Sequence, residues 1–575
     1  MNDKTAVLLA ENAKLQQTLE LQQACIQQQD ARIQEQHTRL QQQDEYIQTL
    51  TLMVEQMREE IRILRLREFG RKSEKIKSDE KYPMLFDEQE LLQGESIACE
   101  TPEETVVVHV PEQTYTRKKR GRKAIDNSVQ RVTLEYTITE EQRNEYKDYT
   151  ITELGKDKSE RLHEIPAQYY VIERIIHKYK AERVSTDGST EVKFFSASIP
   201  QAFLPRSIAT SGLLSHVITG KFCDGLPLQR QEAIFARHGI VLSKQTMANW
   251  CIESAKQLAP LMNRLEKHLL QSPAINCDET PFVVMQEPGK ENSSKSYMVV
   301  LAGGGTDPQR PRIVLFRYSA HRSAACIDAI LKEYKGALQS DAYKGYTNFS
   351  ARNEQIHAGC WAHARRKFRE VWEAAGKQGK AGEMIGFIRL LYDGEAMLRQ
   401  KYKCKDDPSW DTVGFLKERK DRIMPIFAKM RTWLENTYRE TPPKSGLGMA
   451  VQYTQNEWER LIAYIESPWF TPDNNVVERA IKPFTVGRKN WVISGSPRGA
   501  YASAMLYSFI ETAKSNGVDP YYYLRWLFDK LPITQESELD SLLPWNIDIG
   551  DIAVHFAKED AQISLKAKQQ NQTRI

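Results

Sequence analysis

Apolar residues recur at every seventh position near the start of the chain: Leu19, Ile26, Ile33, Leu40, Ile47, Val54 and Ile61. A companion series, offset by three and four residues, holds Leu8 and Leu15, then Gln22, Gln29, Gln36 and Gln43, then Leu50, Met57 and Leu64. This spacing predicts one long helix over residues 1–70, paired with a copy of itself as a coiled coil. The seam glutamines weaken that pairing but favour one register, because a slipped partner would leave their amides unpaired. The rival reading is glutamine-rich disorder, since 13 glutamines fall between Gln16 and Gln48. The unbroken heptad series favours the helix, and with it a homodimer or higher oligomer.

Beyond the helix, charge is blocked rather than mixed. Arg62–Lys77 carries a net +5 and Asp79–Glu104 a net −8, while Arg117–Lys123 has six basic residues in seven. Residues 71–129 therefore read as a charged linker. Its last block offers Lys118, Arg120, Arg122 and Lys123 to DNA, with Arg120-Gly121-Arg122 as an AT-hook-like core for a minor groove. A plain solvated linker is the competing reading. Residues 130–200 then alternate as short strands (Arg131–Thr137, Tyr169–Tyr179, Glu191–Phe195), a small β-rich module.

Helical periodicity returns over residues 201–270, which read as a helix-turn-helix that would bind DNA through Lys244, Gln245 and Asn249. Leu228–His238 is amphipathic, Gly239 supplies the stop, and Ser243 caps a second helix running to about Ala255. Met247, Trp250 and Cys251 would face inward, leaving Lys244, Gln245, Ala248 and Asn249 outward as on a recognition helix. An ordinary helical hairpin would have the same pattern.

From Ala274 the period shortens to that of strands. Ala274–Val284, Ser296–Ala302 and Arg312–Tyr318 are followed by a helix over Ser323–Tyr334. A short fourth strand ends at Asp341, and a fifth, Ile356–Trp361, runs into a basic helix over His363–Trp372. That order matches a ribonuclease H-like mixed sheet. Residues 271–372 and 471–515 would form this domain, interrupted by a helical insertion over 373–470. A C-terminal helical segment (516–548) and a tail (549–575) complete a multidomain α/β chain.

Carboxylates inside strands demand a reason, because burial of a charge is costly. In this topology the first and fourth strands are neighbours, so Asp278 and Asp341 would approach each other. A divalent cation between them is the usual remedy, and oxygen ligands suit Mg²⁺ or Mn²⁺. Glu478 follows the helix-start signal Thr471–Asn475. It is either a glutamate favoured by the helix dipole or a third oxygen ligand, and spacing does not choose. Arg479, Lys482, Arg488 and Lys489 make the same stretch basic and are candidate phosphate contacts.

Composition adds exclusions. No run approaches the roughly 18 apolar residues of a membrane span, and Met1–Ala10 lacks the charged and apolar regions of a signal peptide. The eight cysteines are scattered with no CxxC pair. This argues against a zinc ribbon or disulfide framework and fits a reducing cytoplasm. A net charge of +4 says nothing by itself about partners.

Several segments together resemble the transposases of the insertion sequence 66 family: Ile275–Pro281, Ser340–Tyr346, Cys360–Phe368, Asp473–Ala480, Gly487–Trp491 and Glu511–Gly517. The heptad start and Phe69–Lys75 extend the likeness over nearly the whole chain. The resemblance implies a DDE catalytic domain whose triad is Asp278, Asp341 and Glu478. It also implies two Mg²⁺ ions (Mn²⁺ substituting) that serve strand cleavage at an element's end and attack of the freed 3′-hydroxyl on target DNA. Partners would be DNA, a second copy of the chain and accessory proteins of the same element, with no membrane.

The likeness has one gap. Family members usually carry a cysteine-rich zinc module where Val132–Ser198 has no cysteine, and His163 and His177 are too few for a closed site. No zinc is therefore expected. Cys360 and His363 form a C-x-x-H whose plain reading is structural, a buried Cys and a helix-capping His. The alternatives to an active transposase are a catalytically silent DNA-binding regulator derived from one and, with least support, an oligomeric scaffold.

Overall fold

A computed structural model of the chain describes residues 2–69, 107–110, 113–116, 169–184, 190–196, 200–305, 307–332, 334–404 and 407–572. The chain divides into two units, Met1–Gly70 with Lys178–Ile575, and Arg71–His177. In the smaller unit, Val107–Val110 (β1) pairs antiparallel with Gln113–Thr116 (β2), and residues 169–177 are irregular. The basic block at 117–123 and the strand expected over 131–137 lie outside the described residues.

In the larger unit, Asn2–Phe69 is one continuous helix, α1. All seven apolar residues of the first heptad series are exposed on it. Of the strand expected over 169–179, only its end is in one: Lys178–Val184 (β3) pairs antiparallel with Thr190–Ser196 (β4). Ser211–Phe222 (α2), Leu228–Arg237 (α3) and Lys244–Leu270 (α4) follow. Gly239 takes φ +74° in the turn between α3 and α4, a conformation that a side chain would strain. The last helix does not end near Ala255 as the spacing predicts. Leu258, Leu261, Leu265 and Leu269 continue its apolar stripe and are fully buried, so packing carries it fifteen residues further.

The core is a mixed sheet with strand order β7–β6–β5–β8–β9. Ala274–Val284 (β5), Lys295–Gly303 (β6) and Ile313–Ser319 (β7) run antiparallel in sequence. Ala337–Gln339 (β8) lies parallel to the start of β5, and His357–Ala358 (β9) lies parallel to β8. Ala324–Leu331 (α5) and Lys344–Arg352 (α6) flank β8 in the chain, and Trp361–Ala374 (α7) follows β9.

Four helices come next: Ala381–Lys401 (α8), Thr412–Glu440 (α9), Gly446–Asn456 (α10) and Trp458–Ile462 (α11). Their apolar faces close over α7 in a core that includes Trp361, Phe368, Ile388, Phe427 and Trp458. Inside it, Arg419 is fully buried. It meets both carboxylate oxygens of Glu395 and the carbonyls of Tyr464, Ser467 and Phe470. Arg399 binds the same carboxylate and the carbonyls of Pro468 and Phe470. Burial pushes the Glu395 carboxyl up, but the two guanidinium groups overcome this and hold it below its usual range. The cluster fixes the 464–470 segment, the end of a 3-10 turn (Ala463–Glu466) and the residues after it, which delivers the chain to the next helix.

That helix is Asn475–Trp491 (α12); Ile493–Ser494 (β10) then joins the far end of β5 in parallel. Pro497–Ser515 (α13) covers the edge strand β7. Thr512 Oγ1 both accepts from the Val314 N–H (3.1 Å) and donates to the Val314 carbonyl (3.0 Å). Ser508 Oγ accepts from the Phe316 N–H at 2.8 Å, and the Asn516 amide bridges both backbone groups of Arg312. Three side chains at four-residue spacing thus satisfy alternate residues of an otherwise open edge. Gly487 lies where a Cβ would come within 2.9 Å of the Tyr507 hydroxyl, which lets α12 approach α13 closely.

Pro520–Lys530 (α14) follows, and the segment read as a tail is helical over Ile549–Gln572 (α15). Arg525 anchors it through Asp560 and Glu559 while lying over the Phe556 ring. Among the described residues no helix is long and apolar enough to cross a membrane.

Candidate active site

The parallel register of β5 and β8 places Asn276 beside Gln339. Two residues further along each backbone stand Asp278 and Asp341, at the carboxyl ends of neighbouring parallel segments. Open α/β sheets bind ligands in such crevices. β8 stops at Gln339 and β10 does not meet β5 until Val283, so this flank of β5 around Asp278 has no strand beside it. Asp278 Oδ1 accepts its neighbour Glu279's N–H at 2.8 Å. Burial, then repulsion from Glu478 and Asp341, pushes the Asp278 carboxyl up to about 8. Those named sources mean that the three carboxylates share one electrostatic neighbourhood. Asp341 Oδ1 accepts the Tyr343 N–H (3.0 Å), and its Oδ2 lies 3.9 Å from Arg322 Nη2.

Glu478 is set by the first turn of α12. Asn474, 1% exposed, donates through Nδ2 to the Cys277 carbonyl (2.9 Å) and accepts from Asn276 Nδ2 (2.8 Å). Asn276 also donates to Gln339 Oε1, and the Gln339 amide donates to the Thr471 and Gly359 carbonyls. This buried amide network ties α12 to β5 and β8 just below the acidic residues. Glu478 Oε1 lies 3.8 Å from both Cys360 Sγ and His363 Nδ1. Cys360 is buried and sits at the N-terminus of α7 without capping it through its side chain. Burial, Glu478 and Asp473 push its thiol well above the ordinary value. His363 lies within the first turn of α7 rather than at its cap.

The other residues picked from sequence fall in different places. Arg488 Nη1 donates to Thr280 Oγ1 (3.1 Å) and to the Pro281 carbonyl, so its guanidinium is tied to β5. Arg479 and Lys489 are exposed on α12, and Lys482 is half-buried. Lys244, Gln245 and Asn249 are exposed on the first turns of α4, separate from the acidic cluster in the chain, with Gln245 donating to Asn249 at 3.4 Å. Lys118, Arg120, Arg122 and Lys123 lie outside the described residues.

The structure adds residues that spacing did not reveal. Arg322 binds Glu279 Oε1 (Nε, 2.6 Å) and stacks 4.0 Å over the Tyr343 ring, which holds its charge beside Asp341. Tyr346 donates to the other Glu279 oxygen at 2.8 Å. Arg460 Nη1 donates to the Asp341 carbonyl at 3.2 Å. Arg322 and Arg460 are single cations in loops or short helices, with no pattern to mark them. Glu279 stood in plain view next to Asp278.

Asp278 and the two carboxylates that raise its proton affinity, with Arg322 beside Asp341, are oxygen donors of the kind a hard divalent cation takes. The chain belongs to the IS66 transposase family: the model described as "Transposase IS66 family" matches residues 206–502. The "IS66 C-terminal element" matches 508–545, and "Transposase C of IS166 homeodomain" matches 56–134, across the segment read as a charged linker. The uncharacterized protein y4qI of Sinorhizobium fredii is 31% identical over 409 residues, covering 68% of this chain and 71% of that protein. The uncharacterized protein y4hP of the same organism is 26% identical over 516 residues, covering 87% and 88%.

Proposed function

We propose that the chain is a DNA transposase in which Asp278, Asp341 and Glu478 hold divalent metal, Mg²⁺ with Mn²⁺ able to substitute, for strand cleavage and strand transfer. One observation carries this: Asp278 is buried beside two further carboxylates and is driven to about 8, a cost that bound positive charge removes. The three donors are all oxygens, which fits a hard cation. When bound, such a cation polarises the scissile phosphate and lowers the pKa of the attacking water or hydroxyl. Glu478, on a helix pinned by Asn474, would supply the third carboxylate. Arg322 pairs with Glu279 and also lies 3.9 Å from Asp341, so its guanidinium N–H groups would be within reach of a phosphate oxygen held there. Lys482, Lys489 and Arg479 line the same helix and would meet the DNA backbone, as would Lys244, Gln245 and Asn249 on α4 and the basic block at 118–123.

The sheet order, three antiparallel strands followed by two parallel ones, supports a ribonuclease H-like reading of this unit. The exposed heptad series of α1 supports self-association as a coiled coil, because an apolar stripe of that length is unfavourable in water. The test is cleavage and joining of DNA carrying the element's own ends, with Mg²⁺, by wild type and Asp278→Asn. Activity in wild type and its loss in the variant, with DNA binding retained, is the expected result. Equal activity in both overturns the triad. A folded wild type that binds the ends without cutting them under any divalent cation would instead favour the silent regulator.

A further inference from the structure

We propose that Cys360 Sγ, His363 Nδ1 and Glu478 Oε1 form a binding site for a soft divalent cation of the zinc class. The three ligand atoms lie within 4.8 Å of one another, and both contacts to Glu478 Oε1 are 3.8 Å. Bonds of about 2.0–2.3 Å at a tetrahedral angle set ligand atoms about 3.4–3.6 Å apart, so small side-chain adjustments suffice. His363 Nδ1 is a buried nitrogen without a hydrogen-bond partner. Its separation from Glu478 is too long for a hydrogen bond and too short for an intervening water, but it suits an intervening cation. The sulfur already accepts the backbone N–H of Asn474 at 3.3 Å, the kind of contact that supports a metal-bound thiolate.

The donor set selects the ion. Sulfur and imidazole nitrogen favour zinc-like cations over Mg²⁺, which takes oxygen and water. The side chains of His363 and Glu478 are 28% and 20% exposed, so water can reach the fourth tetrahedral position. Binding replaces the thiol S–H bond with a sulfur–metal bond and releases that proton to solvent. Glu478 Oε1 engaged here is withdrawn from the hard-cation centre proposed above, so the two ions compete for one carboxylate. The lack of cysteine in Val132–Ser198 predicts no zinc there; this site lies elsewhere, at a helix start. Binding of the soft ion does not depend on the transposase reading.

The test is Co²⁺ titration of the full-length chain, read by absorption, with folding followed by circular dichroism. Wild type and Asp278→Asn should both show a thiolate-to-cobalt charge-transfer band with the visible bands of tetrahedral cobalt. Cys360→Ser should lose the charge-transfer band. His363→Ala, a change at a partly exposed side chain that spares the core, should weaken binding at least about tenfold. The proposal is overturned if folded wild type takes up no cobalt in a tetrahedral thiolate environment. It is equally overturned if Cys360→Ser keeps the band, or if His363→Ala binds as tightly as wild type. An intact band in Asp278→Asn alongside lost cleavage separates this site from the hard-cation centre.

Discussion

Replacing Asp278 by Asn should stabilise the metal-free protein. The side chain keeps its shape and the Oδ1 that accepts the Glu279 N–H, while the titratable charge disappears. In the folded chain the carboxyl is raised from 3.8 to about 8. The folded state therefore holds this proton more tightly than the unfolded state, and wild-type stability falls as pH rises between those two values. At about 1.4 kcal/mol per unit, roughly three units separate pH 7 from the unfolded value, so the penalty at neutral pH is about 4 kcal/mol. Relaxation of the site and water entry could halve it, leaving about 2 kcal/mol. The assay is thermal or urea unfolding in EDTA at pH 4, 5.5, 7 and 8. The two proteins should match near pH 4 and diverge upward, with the variant the more stable. Comparing them cancels groups such as His357, which burial first and Arg460 second hold down near 3 in both. Added Mg²⁺ should raise wild-type stability and leave the variant unchanged. A variant that is equally or less stable at pH 7, or a difference independent of pH, would refute the reasoning.

Further outcomes follow from packing and charge. Arg419→Ala should cost about 3–5 kcal/mol, because it strips the principal partner from a buried Glu395 and leaves three carbonyls short of a donor; urea unfolding measures it. Thr512→Val preserves volume but leaves the Val314 N–H and carbonyl without their hydroxyl partner, for about 1–3 kcal/mol and faster amide exchange at that edge. A chain lacking residues 1–64 should scatter light as a monomer while keeping the circular dichroism of its folded core; an unchanged oligomer would remove the coiled coil from the account.

Long-range order was legible where periodicity is strong. The heptad series marked α1, and alternating strand and helix signals marked the sheet and the neighbouring positions of Asp278 and Asp341. The helix-start signal at Thr471–Asn475 located Glu478 one turn into α12. Other features depend on contacts that no local pattern carries. The extension of α4 past Ala255 follows from leucines meeting the core, and the helix at 549–572 from Arg525 reaching Asp560. Asn276, Gln339 and Asn474 are three ordinary amides until folding brings them together over 198 residues. Thr512 and Asn516 belong to a motif visible in the sequence, yet their role in closing the β7 edge depends on where α13 lies. Cys360 and His363 look structural in the sequence because their shared partner, Glu478, is 118 residues away from the cysteine.

Metal that cuts DNA would be held jointly by Asp278 within β5, Asp341 just past β8 and Glu478 on α12. Anomalous diffraction from crystals of the chain with Mn²⁺ and DNA of the element's end locates that metal. Manganese peaks bonded to Asp278 and Asp341, with Glu478 completing the shell and the scissile phosphate against them, are the expected result. Manganese found only elsewhere, with these three carboxylates free of it in the DNA complex, would rule the triad out.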